Sequence, residues 1–529
     1  MPSGTVWHGG CVTDRTKQTV EAALLSGATT LLLVGPRGVG KQALAQSIAD
    51  ARGAPLDEIV CLADPADIRR WLFYARTPQG DGDPGVLGQP GRRIVFLNHL
   101  ESLPLALSNE IRQAVQYRRY LDADGTVRQV SGEVTLIGAF VTDASTQTLQ
   151  ESGVVAQAFS HKVFLPGLSE RPDDIEHLAK HLVGSIVPSV NLDVSAVPIL
   201  KGLDYTDGNI DRLRLLLEAA ALAASSGRID AEAVAVAVAS EARTAMRQMF
   251  FQGQTITDRD IDEWLEQFPA DVRATAAEIV VAVRRRYYCE PSQWWSHLRY
   301  LFTELLREFG NEGQLRDRLV LASFQRPGKS EGRALADFTK ANALRQGTLR
   351  GTFAALARTR YMPSHPIIVL VDDWAGSGEQ IRTLLGHHKT QLLALAKATS
   401  DRGTHAAFRV LFVACYEPAA AEIDAFFSQL GLDGHTVVAR RLAPTDRCVG
   451  SQSRVIPNEQ ARSAFEAFAQ EVGIQLWPEY PLGWPPGGLL VVFPHDVPNN
   501  TLPLLWKPNR RPRWRPLISG VSRSRGRPS

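Results

Sequence analysis

The chain has 529 residues, enough for two to four domains, and its 44% hydrophobic and 22% charged residues are the balance of an ordinary globular protein. Its net charge of +2 says little about partners, and no apolar run reaches the roughly 18 residues of a membrane span. Met1-Pro-Ser-Gly-Thr5 lacks the basic start and apolar core of a secretion signal, and five scattered cysteines lack metal-ligand spacing, so a cytoplasmic protein with reduced thiols and no metal site is expected.

Residues 1–170 alternate helical and strand patterns, an α/β layer with a parallel sheet. An amphipathic stretch runs over Thr19–Leu25. Thr30–Gly35 reads as a buried strand that enters Gly35-Pro-Arg-Gly-Val-Gly-Lys41, and Lys41–Arg52 follows as a helix. A glycine-rich loop between a strand and a helix offers backbone N–H groups to phosphates. Gly35, Gly38, Val39, Gly40, Lys41 and Gln42 are therefore the candidate ATP-binding residues. Arg93–Leu97 and Val134–Ile137 are further strands, with a breaker-rich insert at Thr77–Gly85 between the helix and the later strand. Residues 171–254 are Ala/Leu-rich and read as a helical lid, with a helix starting at Gly208-Asn209. Residues 255–318 form an aromatic-rich helical connector, the front end of a second domain. Its Trp264, Phe268, Tyr287, Tyr288, Trp294 and Phe302 suit helix packing better than base stacking.

A second α/β domain is expected over 319–517, and 518–529 is a basic tail. Its most informative string is Ile367-Ile-Val-Leu-Val-Asp-Asp-Trp-Ala-Gly-Ser-Gly378. The β-branched run reads as a buried parallel strand, and its carboxyl end is where open α/β sheets bind ligands. Asp372 and Asp373 there can accept hydrogen bonds from vicinal hydroxyls, and Ala375, Gly376, Ser377 and Gly378 can close around a phosphate at a helix start. Phe324-Gln-Arg-Pro-Gly-Lys-Ser330 is a candidate diphosphate loop with Lys329 and Ser330 as donors; a basic surface turn fits it equally well. His495, Asn499 and Asn500 sit in a polar turn after a strand expected at Leu490–Phe493. Arginines from Arg510 to Arg527 make the end of the chain basic; it reads as a solvated end, with nucleic-acid contact through Arg513-Trp514-Arg515 as the alternative.

Leu97–Gln116 and Leu165–Ile175, in order after the phosphate loop, resemble the AAA+ module of sigma-54-dependent transcription activators over residues from about 10 to 225. The resemblance implies a P-loop module with a helical lid that binds ATP with magnesium. The departures imply weak hydrolysis. The family's Asp-Glu pair is Asn98 and His99 here, poor substitutes for a magnesium ligand and a water-positioning carboxylate. No arginine lies between Arg128 and Arg171, where the family places its trans-acting fingers. The lid arginine is replaced by Asp211, with Arg212 as a partial stand-in, and the GAFTGA loop is absent.

The Asp372-Asp373 string resembles the diphosphoribose signature of type I phosphoribosyltransferases. With Pro481–Trp484 and Leu489–Trp506 it is similar to phosphoribosyltransferase-like domains of bacterial conflict systems, over residues from about 258 to 517. The resemblance implies Asp372 and Asp373 on the ribose hydroxyls and Ala375–Gly378 on the 5′-phosphate, with magnesium bridging ligand oxygens to water. Glu379 and Gln380 depart from the family's Gly and Thr. Taken together, the resemblances imply an antiviral defence protein in which a nucleotide-binding module regulates a phosphoribosyltransferase-like effector. Its ligands would be phosphoribosyl diphosphate or nucleotides, and its partners proteins of a defence operon or further copies of itself. A non-catalytic nucleotide sensor and a sigma-54-type regulator are the alternatives.

Overall fold

The computed structural model describes residues 14–73, 75–76, 82–83, 85–122, 125–141, 153–186, 189–224, 227–247, 249–323, 330–344, 348–359, 361–510 and 513–518. The chain divides into two compact units, Met1–Val238 and Ala239–Ser529.

In the first unit a helix α1 (Asp14–Leu25) precedes strand β1 (Thr30–Gly35) and helix α2 (Lys41–Arg52), the latter two at the bounds the sequence implies. Strands β2 (Leu56–Val60), β3 (Arg93–Asn98), β4 (Val134–Val141) and β5 (His161–Phe164) complete one sheet in the order β2-β3-β4-β1-β5. Every pairing is parallel. The carboxyl ends therefore share one edge, and the loop after β1 reaches it with only β4 between it and the tip of β3. Leu32, Val34, Val95, Leu97, Leu136 and Phe140 are buried from these strands, the continuous apolar runs that a sheet covered on both faces requires. Helix α3 (Asp174–Ile186) and helix α4 (Asn209–Ala223) fall in the stretch expected as a lid.

The second unit contains, ahead of its sheet, helices α5 (Asp258–Leu265), α6 (Ala270–Ala282) and α7 (Pro291–Phe309). Thr257 starts α5 with a capping box: its hydroxyl accepts from Asp260 N–H while the Asp260 carboxylate accepts from Thr257 N–H. Strands β6 (Leu319–Ser323), β7 (Leu349–Thr352), β8 (Ile367–Ala375), β9 (Ala407–Tyr416) and β10 (Gly434–Leu442) form a parallel sheet in the order β7-β6-β8-β9-β10. The chain reverses its direction across the sheet between β6 and β8. The crevice outside their carboxyl ends is thus the place where such sheets take ligands. Helix α8 (Ser330–Ala341) follows β6, helix α9 (Glu379–His387) follows β8, and helix α10 (Glu417–Gln429) follows β9.

The aromatic-rich front end is packing, as the sequence implies. Trp264 is buried, its indole N–H donates to Leu504 O at 3.0 Å, and Trp514 donates to the same carbonyl at 2.9 Å. Phe268 stands edge-on to both rings, at 4.6 and 5.5 Å between centroids. Trp264→Ala removes a buried indole and leaves a cavity, so a stability loss of about 3–5 kcal/mol is expected by denaturant titration. A loss under about 1 kcal/mol would show that the C-terminal segment is held elsewhere.

One expectation is corrected. Leu490–Phe493 is not a strand: it carries a single isolated bridge, Tyr288↔Val492, with a second, Leu489↔Thr501, just before it. Pro494 has no N–H to extend a ladder, and Phe493 N–H instead closes a turn onto Asp496 O at 2.9 Å.

Candidate functional site

Each unit holds a cavity at the carboxyl edge of its sheet. The first, about 480 Å³, is lined by Gly38, Val39, Gly40, Lys41 and Gln42 of the phosphate loop and by Asn98 and His99 at the tip of β3. Gly35 lies one turn back, and its carbonyl, with that of Pro36, accepts from Lys41 Nζ at 2.7 Å each. Burial draws the Lys41 ammonium down to about 8, only partly opposed by the charge of Glu101.

The lid is tied to this loop. Asn209 at the start of α4 donates from Nδ2 to Arg37 O and accepts at Oδ1 from Leu168 N–H, both at 2.7 Å, while Ile210 N–H donates to Gly38 O at 2.9 Å. Gly38 has φ 70°, and a Cβ there would stand 2.2 Å from Gly208 O, so the approach needs glycine. Arg212 does not stand in for the missing lid arginine. It is buried and donates to Asp204 O, inside the lid. Arg214, three residues beyond Asp211 and so about one helical turn along α4, lines the cavity with Asp211 and His181. Spacing along α4 would have placed Arg214 on the Asp211 face; nothing local in the sequence marks His181.

At the tip of β3 the replaced residues are engaged. Asn98 Nδ2 donates to Glu58 Oε1 at 2.9 Å, and Gln42 Nε2 donates to Glu58 Oε2 at 2.6 Å. His99 has φ 62° and its Nδ1 lies 3.2 Å from Glu101 Oε1. Among the described residues no group of three or more His, Cys, Asp or Glu is placed to hold a metal. The four described cysteines, Cys61, Cys289, Cys415 and Cys448, are free and buried, and burial pushes each thiol up to about 12. None is a thiolate nucleophile near neutral pH.

The second cavity, about 490 Å³, lies at the end of β8 and is lined by Asp372, Trp374 and every residue from Ala375 to Gln380, together with Trp484, Asn499 and Asn500. Successive strand residues face opposite ways, which separates the two carboxylates. Asp372 lines the cavity, accepting Asp373 N–H at Oδ1 at 2.9 Å, while Asp373 Oδ2 lies 3.5 Å from His495 Nε2. Trp374, on the Asp372 side, follows from the same alternation and is a further lining residue beyond those the motif marks. Trp484 carries no such signal, being brought in by the chain far downstream.

Asn500 fastens that downstream segment to the loop. Its Oδ1 accepts from Trp374 Nε1, and its Nδ2 donates to Trp484 O and Pro485 O, all at 2.9 Å. It rests on Gly376, where a Cβ would come within 2.1 Å of Asn500 Oδ1. Ser377 Oγ accepts from Glu379 N–H at 3.3 Å at the start of α9, and Glu379 itself is exposed. Lys329 and the rest of the Phe324–Lys329 loop lie outside the described residues, as do Arg523, Arg525 and Arg527; Ser330 is the first residue of α8. Arg515 pairs with Glu263, so this part of the basic end is engaged within its own unit.

Residues 261–519 match the family model PRTase-CE. The chain is 28% identical over 211 residues to the DNA-binding transcriptional activator HyfR of Escherichia coli (strain K12), covering 37% of this chain and 31% of HyfR. It is 24% identical over 213 residues to the formate hydrogenlyase transcriptional activator FhlA of the same strain, covering 37% of this chain and 30% of FhlA. The chain thus spans about a third of the length of the curated relatives it matches. Among solved structures, NtrX from Brucella abortus aligns at a TM-score of 0.37 and 15% identity, over 51% of this chain and 63% of NtrX. The N-terminal region thus resembles sigma-54-dependent activators, and residues 261–519 are similar to a phosphoribosyltransferase-like domain of the PRTase-CE type.

Proposed function

We propose that this is a bacterial antiviral defence protein in which the first unit binds ATP, hydrolyses it poorly, and controls a phosphoribosyltransferase-like effector in the second. The observation that carries the effector reading is the second cavity: Asp372 at the carboxyl end of β8, a small-residue loop, and the start of α9, at the point where strand order reverses. A ribose hydroxyl accepted by Asp372 and a phosphate against the Ala375–Gly378 backbone would leave the anomeric carbon in the cavity. Trp374 and Trp484 then give a base two aromatic faces. The reaction class is transfer between phosphoribosyl diphosphate and a base or nucleotide, or its reverse.

Magnesium fits here as an ion carried by ligand oxygens, since no protein cage exists among the described residues. Bound in that way it would neutralise phosphate charge, with Asp372 and Glu379 as the carboxylates lining the cavity. A non-catalytic sensor is the second reading, favoured by Glu379, a carboxylate at the very helix start that would receive a phosphate. A role in sigma-54 activation is disfavoured by the absent GAFTGA string. Domain limits of 1–170, 171–254, 255–318, 319–517 and 518–529 remain the working division.

Calorimetry with phosphoribosyl diphosphate and nucleoside monophosphates tests the ligand. Metabolite profiles of cells with and without phage, comparing wild type with Asp372→Ala/Asp373→Ala, test the reaction. A released pyrophosphate or base that depends on Asp372 establishes the enzyme; binding with no product from any base establishes the sensor; no binding of any phosphorylated ribose sinks both.

ATP binding by the first unit has its own signature. Lys41 is fully charged only well below about 8; a phosphate at the loop would favour the charged form and raise that value. Affinity is therefore expected to be flat well below pH 8. It should fall as pH rises above 8, by up to about tenfold per unit, and Lys41→Ala should remove both the affinity and the slope. An affinity that rises above pH 8 would place the phosphate away from Lys41.

A further inference from the structure

We propose that His99 takes the proton from the attacking water in the slow ATP turnover of the first unit, and that Glu101 is the positioning residue that holds its ring. The proposal rests on the ATP-binding reading above.

Two observations carry it. His99 lines the phosphate-loop cavity at the tip of β3 with φ 62°, a left-handed conformation that a non-glycine residue adopts at a cost and that clusters at ligand sites. Its ring is also clamped. Glu101 Oε1 lies 3.2 Å from His99 Nδ1, and Glu101 Oε2 accepts from Val141 N–H at 3.1 Å. The carboxylate is thus fixed between the ring and the last residue of β4. With Nδ1–H donating to Glu101, the lone pair is on Nε2, the arrangement of a base oriented by a third group. A residue that had merely drifted from the family's carboxylate accounts for neither the strained backbone nor the two-ended carboxylate.

The charged groups around the ring are compatible with this role. Lys41 and Arg37 lie at the phosphate loop and His181, Asp211 and Arg214 on the lid side of the same cavity, while the nearby Glu58 is occupied by Asn98 and Gln42. The step balances simply. The water oxygen bonds to the γ-phosphorus as the bond from that phosphorus to the β,γ-bridging oxygen breaks. That electron pair stays on ADP, and the water's proton goes to His99 Nε2 and then to solvent. A positioned base is worth about 10²–10⁴ in rate, and the missing arginine fingers about 10³–10⁵. Turnover is accordingly slow and yet depends on His99.

The experiment is single-turnover hydrolysis of ATP by the full chain, with ATP affinity measured in parallel by calorimetry. His99→Gly is the informative variant, because φ 62° suits glycine and the substitution asks no change of the backbone there. Expected are wild-type turnover abolished by Lys41→Ala, a loss of about 100-fold or more in His99→Gly with affinity unchanged, and recovery of that variant by added imidazole. Glu101→Gln, which keeps the shape and removes the charge, should lose about tenfold or more. Bound ATP with no turnover in the wild type, or turnover equal in His99→Gly, overturns the proposal and leaves ATP binding intact. Absence of ATP binding overturns both.

Discussion

Replacing Asp372 and Asp373 together with alanine is expected to abolish activity and leave the fold standing. Hydrogen bonds to a charged acceptor contribute about 1.5–3 kcal/mol each, so the carboxylate contacts to the ribose hydroxyls are together worth on the order of 100-fold or more in affinity. Asp372→Ala alone should carry most of this, because Asp372 lines the cavity while Asp373 meets His495. Asp373→Ala alone is expected to act mainly by releasing His495, which also packs edge-on against Trp294 at 4.9 Å. The core residues that β8 contributes, Ile367 to Val371 and Ala375, are untouched by either change, so the melting temperature should stay close to that of the wild type. A double variant that keeps full ligand affinity and full protection in a phage challenge would remove the effector-site proposal.

Much of this was legible in the sequence because the strings that carry it are local. The runs into Gly35 and into Asp372 read directly as strands, each followed by a small-residue loop and a helix, and both occupy those places at a sheet's carboxyl edge. What was not legible depends on partners distant in the chain. Asn209 on Arg37 O, Glu58 between Asn98 and Gln42, and Asn500 on Gly376 are contacts that no local spacing announces. Arg212 shows the opposite error. Adjacency in sequence places a basic residue beside the expected position, but the helical turn sends it to Asp204 O and leaves the cavity to Arg214. The apolar run at Leu490–Phe493 misled for a related reason: buried, β-branched residues are common to strands and to segments pinned by bridges, and periodicity does not separate them.

Two substitutions in the loop after β8 are expected to act in opposite directions on ligand affinity. A methyl group at Gly376 would stand 2.1 Å from Asn500 Oδ1 and 2.4 Å from its Cγ. The amide cannot swing aside cheaply, since Trp374 Nε1, Trp484 O and Pro485 O each hold it at 2.9 Å. Gly376→Ala therefore breaks these bonds, about 1 kcal/mol apiece, and moves the Trp484 wall of the cavity. Affinity for the phosphorylated ribose should fall by about 100-fold or more, with a measurable drop in melting temperature. Glu379→Gly is expected to do the reverse. Its side chain is exposed at the start of α9, so its loss costs little packing and relieves repulsion of a phosphate, leaving affinity equal or tighter by at most a few kcal/mol. If Gly376→Ala binds as tightly as the wild type, Asn500 is not seated on the loop when ligand is present. If Glu379→Gly binds more weakly, that carboxylate contributes to the site instead of opposing the phosphate, and the sensor reading loses the observation that favours it.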